Sequence, residues 1–273
     1  MKLSFLPLLL LTVCTSQAQL SLMTYNLRYP TPNDGADWWE YRKTEVAEML
    51  NYYQPDVLGI QEGVDAQVRF LDSALVDYDY VGVGRDDGQR GGEFSAIFYR
   101  RDRLTVLRHQ THWLSETPDR VSVGWDAAME RIVTAAELLD RERGDTLLVF
   151  NAHFDHIGPL ARKNSAKLMV RLASEWNPRN HPVILMGDFN AEPGSAPIRV
   201  FTATFSDAFD SAELPSYGSP GTFTGFNVEQ PQDRRLDYIF VKNCSVARHR
   251  HLDDRRRNGR FLSDHLPVLV HLK

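Results

Sequence analysis

Carboxylates, amides and imidazoles recur in this sequence wherever an apolar run stops. The run Val183 to Met186 leads into GDFN, which places Asp188 and Asn190 just ahead of the turn formers Glu192-Pro193-Gly194-Ser195. Asn26 closes LSLMTYN, Glu62 follows the run Val57 to Ile60, and His153 follows Leu147 to Asn151. Glu93, Asp237, Asp264 and His265 lie beside further runs of the same kind. Taken singly, each has a bland reading, because Asp and Asn are common turn formers and strands exit into polar loops. Taken together, and if the strands share one sheet edge, they converge on one acidic, imidazole-bearing pocket.

Such a pocket suits phosphoester hydrolysis, which needs charge neutralisation on phosphoryl oxygens, an oriented water and help for the leaving oxygen. Glu62, Asp264 and the amide of Asn26 are hard oxygen donors suited to Mg²⁺ or Mn²⁺. A carboxylate such as Asp188 can orient and activate water, and an imidazole can hydrogen-bond the transition state. Arg28, Arg85 and Arg131 are candidates for a phosphate or substrate clamp, since a guanidinium binds phosphate through two parallel hydrogen bonds. Trp38, Trp39, Phe223 and Phe226 could stack on a base or sugar, with core packing as the alternative.

The elements that must position these groups follow from periodicity. Strands are expected over Leu20 to Asn26, Val57 to Ile60, Tyr78 to Val83, Phe94 to Tyr99, Leu104 to Leu114, Arg131 to Leu139, Leu147 to Asn151, Val183 to Met186, Arg235 to Val241 and Pro267 to Leu272. Helical spacing marks Glu40 to Tyr53, Asp65 to Leu75 and Leu160 to Trp176. The glycine-rich loop of residues 84–92 reads as mobile, and the basic run Arg255 to Arg257 as solvated. No internal repeat or composition break divides the chain, so one domain over residues 19–273 is expected.

The first residues carry one Lys, an apolar run from Leu3 to Val13 and the small residues Ser16 and Ala18, the pattern of a signal peptide (residues 1–18) cleaved after Ala18. The run is shorter than the roughly 20 residues a spanning helix needs, so stable membrane insertion is not expected. A lipid anchor on Cys14 is disfavoured because Val13 stands where a small residue is required. The expectation is a secreted or periplasmic protein. Cleavage would remove Lys2 and make the formal charge of −5 one unit more negative, which weakens the case for a processive nuclease and favours a small phosphorylated substrate over nucleic acid. It would also leave Cys244 as the sole cysteine, so no internal disulfide could form. Nothing in the sequence fixes the oligomeric state.

The motifs MTYNLR (residues 23–28), GIQE (59–62), GDFNAEP (187–193), LDYIF (236–240) and SDHLPV (263–268) together resemble, in kind and order, those of the endonuclease/exonuclease/phosphatase superfamily of DNase I-like, Mg²⁺-dependent phosphoesterases. The resemblance implies an α/β fold, a four-layer sandwich of two mixed β-sheets packed face to face with helices outside and an active site at one edge. It implies Glu62 as the principal metal ligand with Asn26 and Asp264 close by, and Asp188 as the acid that aligns the attacking water. It further implies Asn190 as the amide that orients the phosphate, His265 on the scissile phosphate paired with Asp237, and Glu93 paired with His153. LDYIF and NAHFDH look closer to the deadenylase-like and secreted bacterial branch. The chain lacks the FTWW-type loop of abasic-site endonucleases, the Cys-Asp-Arg signature of inositol polyphosphate 5-phosphatases and an apolar membrane-inserting hairpin. The implied activity is metal-assisted in-line attack of water on a phosphodiester or phosphomonoester: nucleic acid, nucleotide, sugar phosphate or lipid phosphodiester.

Two rivals are defined. His153-Phe154-Asp155-His156 resembles half of the zinc motif of metallo-β-lactamase-like hydrolases, with Asn151 where its first His should stand. The other rival is a binding module that keeps the fold without the chemistry.

Overall fold

The computed structural model describes residues 19–273, so the expected signal peptide and Cys14 lie outside the described residues. The strands are β1 (Ser21–Asn26), β2 (Val57–Gln61), β3 (Gly63–Val64), β4 (Tyr78–Val81), β5 (Glu93–Phe94), β6 (Ile97–Arg100), β7 (Leu104–Trp113), β8 (Ile132–Asp140), β9 (Asp145–His153), β10 (Val183–Asp188), β11 (Ser206–Asp207), β12 (Asp237–Lys242), β13 (Val246–His251) and β14 (Val268–Leu272). The helices are α1 (Trp39–Tyr53), α2 (Asp65–Ala74), α3 (Pro159–Trp176), α4 (Ala196–Thr202) and α5 (Ala208–Ser211).

Two six-stranded sheets form, in the orders β13-β14-β1-β2-β6-β4 and β11-β12-β10-β9-β8-β7. Each is mixed, because β1 runs parallel to β2 and β9 parallel to β10 while their other neighbours run antiparallel. The period-2 alternation of each strand divides its side chains between two faces. Leu22, Val57, Ile97, Val149, Ile184 and Ile239 meet between the sheets. Met23, Leu58 and Phe98 turn outward onto Val46 and Leu50 of α1 and Val68 and Leu71 of α2. Phe150, Ala152 and Leu185 turn outward onto Met169 and Leu172 of α3 and Phe201 of α4. Helix, sheet, sheet, helix is the four-layer α/β sandwich expected from the motifs.

The parallel pair β9–β10 is drawn close at Gly187, whose φ is 143° and where an added Cβ would stand 1.9 Å from the Ala152 carbonyl oxygen. Only glycine fits that backbone immediately before Asp188.

Several expectations are corrected here. Strand β13 escapes the sequence reading because Arg248, His249, Arg250 and His251 hide its alternation, although His249 and His251 are buried. The run 255–257 is not wholly solvated, since Arg256 is buried against Glu45 (3.1 Å) and Asp37 (3.4 Å). The loop 84–92 is pinned by turn hydrogen bonds from Gly84 N to Gln89 O and Asp86 N to Gly91 O, and by the Asp87 carboxylate accepting from Gln89 N and Gly91 N. Trp39 is a core residue packed edge-on to Phe70, and Trp38 packs edge-on to Tyr41, so neither is a stacking platform.

Candidate active site

Strands β1, β2, β9 and β10 end at one edge of the sandwich, and register sets which side chains meet there. Asn26 stands beside Gln61, Asp188 beside His153 on one flank and beside Asp237 on the other. Because β12 runs antiparallel to β10, the first residue of β12 reaches the same edge as the last of β10. The chain leaves these strands through residues in left-handed conformation: Arg28 (φ 65°), Glu62 (φ 60°) and Asn190 (φ 46°). Such backbone is costly for non-glycine residues and persists where surrounding contacts hold it. Arg28 N donates to Asn26 Oδ1 and Asn190 N to Asp188 Oδ1, both at 2.9 Å.

The groups line a cleft of about 330 Å³. Asn26 lies beneath it and donates from Nδ2 to both Glu62 Oε1 and Asp188 Oδ2 at 2.9 Å, tying the two carboxylates together. The other Glu62 oxygen accepts Tyr29 N at 2.7 Å. Burial alone would raise the Glu62 carboxyl, but His153, the Asn26 amide, His265 and that backbone donor bring it down to about 2. Asp264 goes the other way, pushed up to about 6 by burial and by the Glu62 charge against the pull of His265 and Arg28.

Asp188 Oδ2 is also 3.6 Å from His153 Nε2 and 3.7 Å from His265 Nε2. His265 Nδ1 donates to Asp237 Oδ2 at 2.7 Å. Burial would push this ring down, yet the Asp237 and Asp188 carboxylates hold it well above the ordinary imidazole range. These carboxylates favour the protonated ring, whose Nε2 lies on the cleft side, where His265 lines the wall.

The structure brings together Asn26, Glu62, Glu93, Arg131, His153, Asp188, Asn190, Asp237, Asp264 and His265, and it corrects the readings of Arg85 and Phe226. Glu93 lies within ion-pair distance of His153, the pairing that the resemblance implies, and against the upward push of burial His153 lowers its carboxyl. It pairs with Arg85 at 2.7 Å and lies 3.6 Å from His153 Nδ1, whereas Arg131 Nη1 reaches that nitrogen at 3.0 Å. Arg85 is no clamp, because its guanidinium is engaged by Glu93 and the Met129 sulfur, away from the cleft surface. Arg131 lines the cleft, where Asp155, His153 and His156 hold its guanidinium in place. Phe226 sits under Arg42, 5.6 Å from the guanidinium carbon, and does not line the cleft, whereas Phe223 does. Arg28 lines it at the rim, paired with Asp34 at 2.9 Å and 3.8 Å from Asp264.

Among the described residues, the acid and imidazole triads close enough to hold a metal are Glu62/His153/Asp188 and Asp188/Asp237/His265, and neither includes Asp264. The zinc reading of HFDH fails on geometry: Asp155 and His156 surround a guanidinium, and Asn151 is buried between the sheets with its amide on Ile60 O and Ala96 O. Sequence reasoning did not single out Tyr29, Met129 and His156 as lining residues. Only His156 carried a signal, as the last residue of that discounted motif.

The family model described as the Endonuclease/Exonuclease/phosphatase family matches residues 23–265. A solved family protein from Bacteroides thetaiotaomicron is 38% identical, with 93% of this chain and 98% of that one covered at a TM-score of 0.89. A mannosyl-6-phosphatase from the same organism is 37% identical, with 93% and 99% covered, also at 0.89. An uncharacterised protein of Acanthamoeba polyphaga mimivirus is 28% identical over 56% of this chain, which spans about 60% of that protein's length. With the fold, the ordered motifs and the converged site in agreement, the chain belongs to the endonuclease/exonuclease/phosphatase family, a family of metal-dependent phosphoester hydrolases.

Proposed function

We propose that this chain is an exported, Mg²⁺-dependent phosphomonoesterase acting on a sugar phosphate, with Mn²⁺ able to substitute. The observation that carries the phosphoester reading is the placement of Asp188, bonded to Asn26 and within 3.7 Å of both histidine Nε2 atoms. The donor set fits a hard divalent cation. Glu62 is held well below the ordinary carboxyl range, and Asp264 is a buried carboxyl that burial and the Glu62 charge push up, so a divalent cation between them would offset both charges. Glu62 would hold the ion, with Asn26 and Asp264 beside it, and when bound it would neutralise charge on the phosphoryl oxygens.

The protein's own groups supply the rest. Asp188 orients the water and accepts its proton as the water attacks phosphorus opposite the leaving oxygen. His265 donates Nε2–H to a phosphoryl oxygen, and Asp237 keeps that ring charged and oriented. Asn190 Nδ2 donates to Phe154 O at 3.0 Å and points its second N–H towards His153 Nε2 at 3.1 Å. Asn190 lines the cleft beside His153, so this amide is placed to give its second N–H to a phosphate oxygen when one is bound. Arg28 meets the phosphate from the rim.

The sugar monoester is supported by the full-length likeness to a mannosyl-6-phosphatase, and an acidic chain favours a small substrate over a polyanion. Export is supported by the leader pattern of residues 1–18 and is checked by N-terminal sequencing of protein made in its own cells; a chain starting at Gln19 is expected, and an intact Met1 in the cytoplasm would overturn it. For activity, phosphate release from hexose 6-phosphates and nucleotides and cleavage of DNA and RNA should be followed with Mg²⁺ and with EDTA. Phosphate from a hexose 6-phosphate, abolished by EDTA, is expected. Turnover that survives EDTA would remove the metal role, cleavage of nucleic acid alone would remove the substrate, and binding without any turnover would restore the non-catalytic rival.

A further inference from the structure

The geometry points to His156 as a specificity-determining residue, one that selects a hydroxylated leaving group by donating its Nε2–H to a hydroxyl oxygen of the substrate. This rests on the sugar-phosphate reading and adds to it the residue that recognises the sugar.

The argument begins at Arg131, whose side chain is 4% exposed and can only donate. Its Nη1 reaches His153 Nδ1 at 3.0 Å, its Nη2 reaches His156 Nδ1 at 2.9 Å, and its Nε reaches Asp155 Oδ2 at 3.3 Å. At His156, whose ring makes no other hydrogen bond among the described residues, this guanidinium makes Nδ1 the acceptor and so places a ring proton on Nε2. The two rings differ in what their Nε2 meets. His153 faces Asp188 and Asn190, inside the phosphate machinery. His156 is exposed, lines the same cleft, belongs to neither acid–imidazole triad, and its Nε2 makes no hydrogen bond among the described residues.

An oriented N–H without a partner among the described residues, exposed in the cleft and outside both acid–imidazole triads, is placed for the part of the substrate that leaves. Tyr29, 46% exposed, and Phe223 line the same cleft and add aromatic surface. A sugar matches both features, with C–H faces for the rings and hydroxyl oxygens for the donor. Arg131 is then a positioning residue, acting through His156 rather than on the substrate.

The test compares a hexose 6-phosphate with p-nitrophenyl phosphate, which offers a phosphate and no hydroxyl groups. In His156→Ala the ratio of kcat/KM for the sugar phosphate over the aryl phosphate is expected to fall at least about tenfold, mainly through KM, as when a site built to bond a hydroxyl loses that bond. His156→Asn, which keeps an N–H donor, should recover part of the ratio. Long-range ¹H–¹⁵N spectra of the wild-type protein should show His156 as the Nε2–H tautomer, and Arg131→Met should give a mixture. An unchanged ratio in His156→Ala, or an Nδ1–H tautomer in the wild type, overturns the proposal. Turnover of nucleotides but of no sugar phosphate overturns the functional reading and the recognition of sugar with it, while the spectra, which need no substrate, still decide the positioning by Arg131.

Discussion

Asp188 accepts from Asn190 N at Oδ1 and from Asn26 Nδ2 at Oδ2, so an amide in its place keeps the size, loses the base and gives up one of these two hydrogen bonds. Asp188→Asn is expected to lower kcat by about 10²–10⁴-fold, the range for loss of a general base, with melting temperature as the control for folding. A different pair of residues governs acid stability. Burial is the first cause that pushes His249 down to about 2 and His251 down to about 4, with the Arg235 charge adding to both. Their folded-state values lie below the unfolded one, so the unfolded chain binds more protons and stability falls as pH drops below about 6.5, by up to about 1.4 kcal/mol per pH unit for each ring. For His251 the fall ends near its folded value of about 4, and for His249 it continues towards about 2. Urea melts between pH 7.5 and 5 should show this slope, and His249→Phe should flatten it relative to wild type; parallel slopes would show that His249 is not responsible. At this scale Asp188, Asn190, Glu62 and His265 were legible because each sits beside an apolar run. Arg85 was misread because sequence shows a charge but not the Glu93 carboxylate and Met129 sulfur that engage it.

At the scale of elements, the N-terminus of α3 is capped by residues outside the helix, and these caps hold the wall of the cleft. Asp155 Oδ1 accepts Ile157 N (2.9 Å) and Gly158 N (2.7 Å), while Oδ2 accepts Ala128 N (3.1 Å). Asp126 accepts Leu160 N at 3.1 Å and Ala161 N at 2.6 Å, so the segment carrying Met129 and Arg131 is latched to the helix from both sides. Asp155→Ala should cost about 1–3 kcal/mol, the range for buried donors left unpaired. It should also make the loop 115–130 the first site of limited proteolysis; cleavage elsewhere first would show that the latch is not what holds this wall. The helix itself was legible from Leu168, Met169 and Leu172 at helical spacing, but its latch was not, because the two aspartates cap it from a distant loop and from the preceding turn. Strands β3, β5 and β11 are two residues each and helices α4 and α5 seven and four, below the length at which periodicity speaks.

For the molecule as a whole, the active edge depends on how the two sheets meet, and a polar layer crosses their apolar interface just behind the site. Asn151 of β9 donates to Ile60 O and Ala96 O of the opposing sheet, both at 2.9 Å, and its Oδ1 accepts Gln61 Nε2 at 2.6 Å. Gln61 Nε2 also donates to Thr24 Oγ1 at 2.9 Å, and Gln61 is paired in register with Asn26 and followed by Glu62. Gly59 makes room for this amide, since a Cβ there would stand 2.7 Å from Asn151. The layer fixes the sliding position of one sheet against the other, which hydrophobic contacts alone specify weakly because they are not directional. Asn151→Leu keeps comparable volume but removes one donor from each of the Ile60 and Ala96 carbonyls and one acceptor from the Gln61 amide in a buried layer, so a loss of about 1–3 kcal/mol is expected in denaturant melts. Glu62 and Asp188 belong to different sheets joined by Asn26, so the same substitution should weaken metal activation in the fraction that stays folded, read as a higher Mg²⁺ concentration for half-maximal activity. A variant as stable as wild type would show that the network is dispensable, and one that is destabilised with unchanged Mg²⁺ dependence would show that the layer holds the sheets together without setting the register on which the metal site depends.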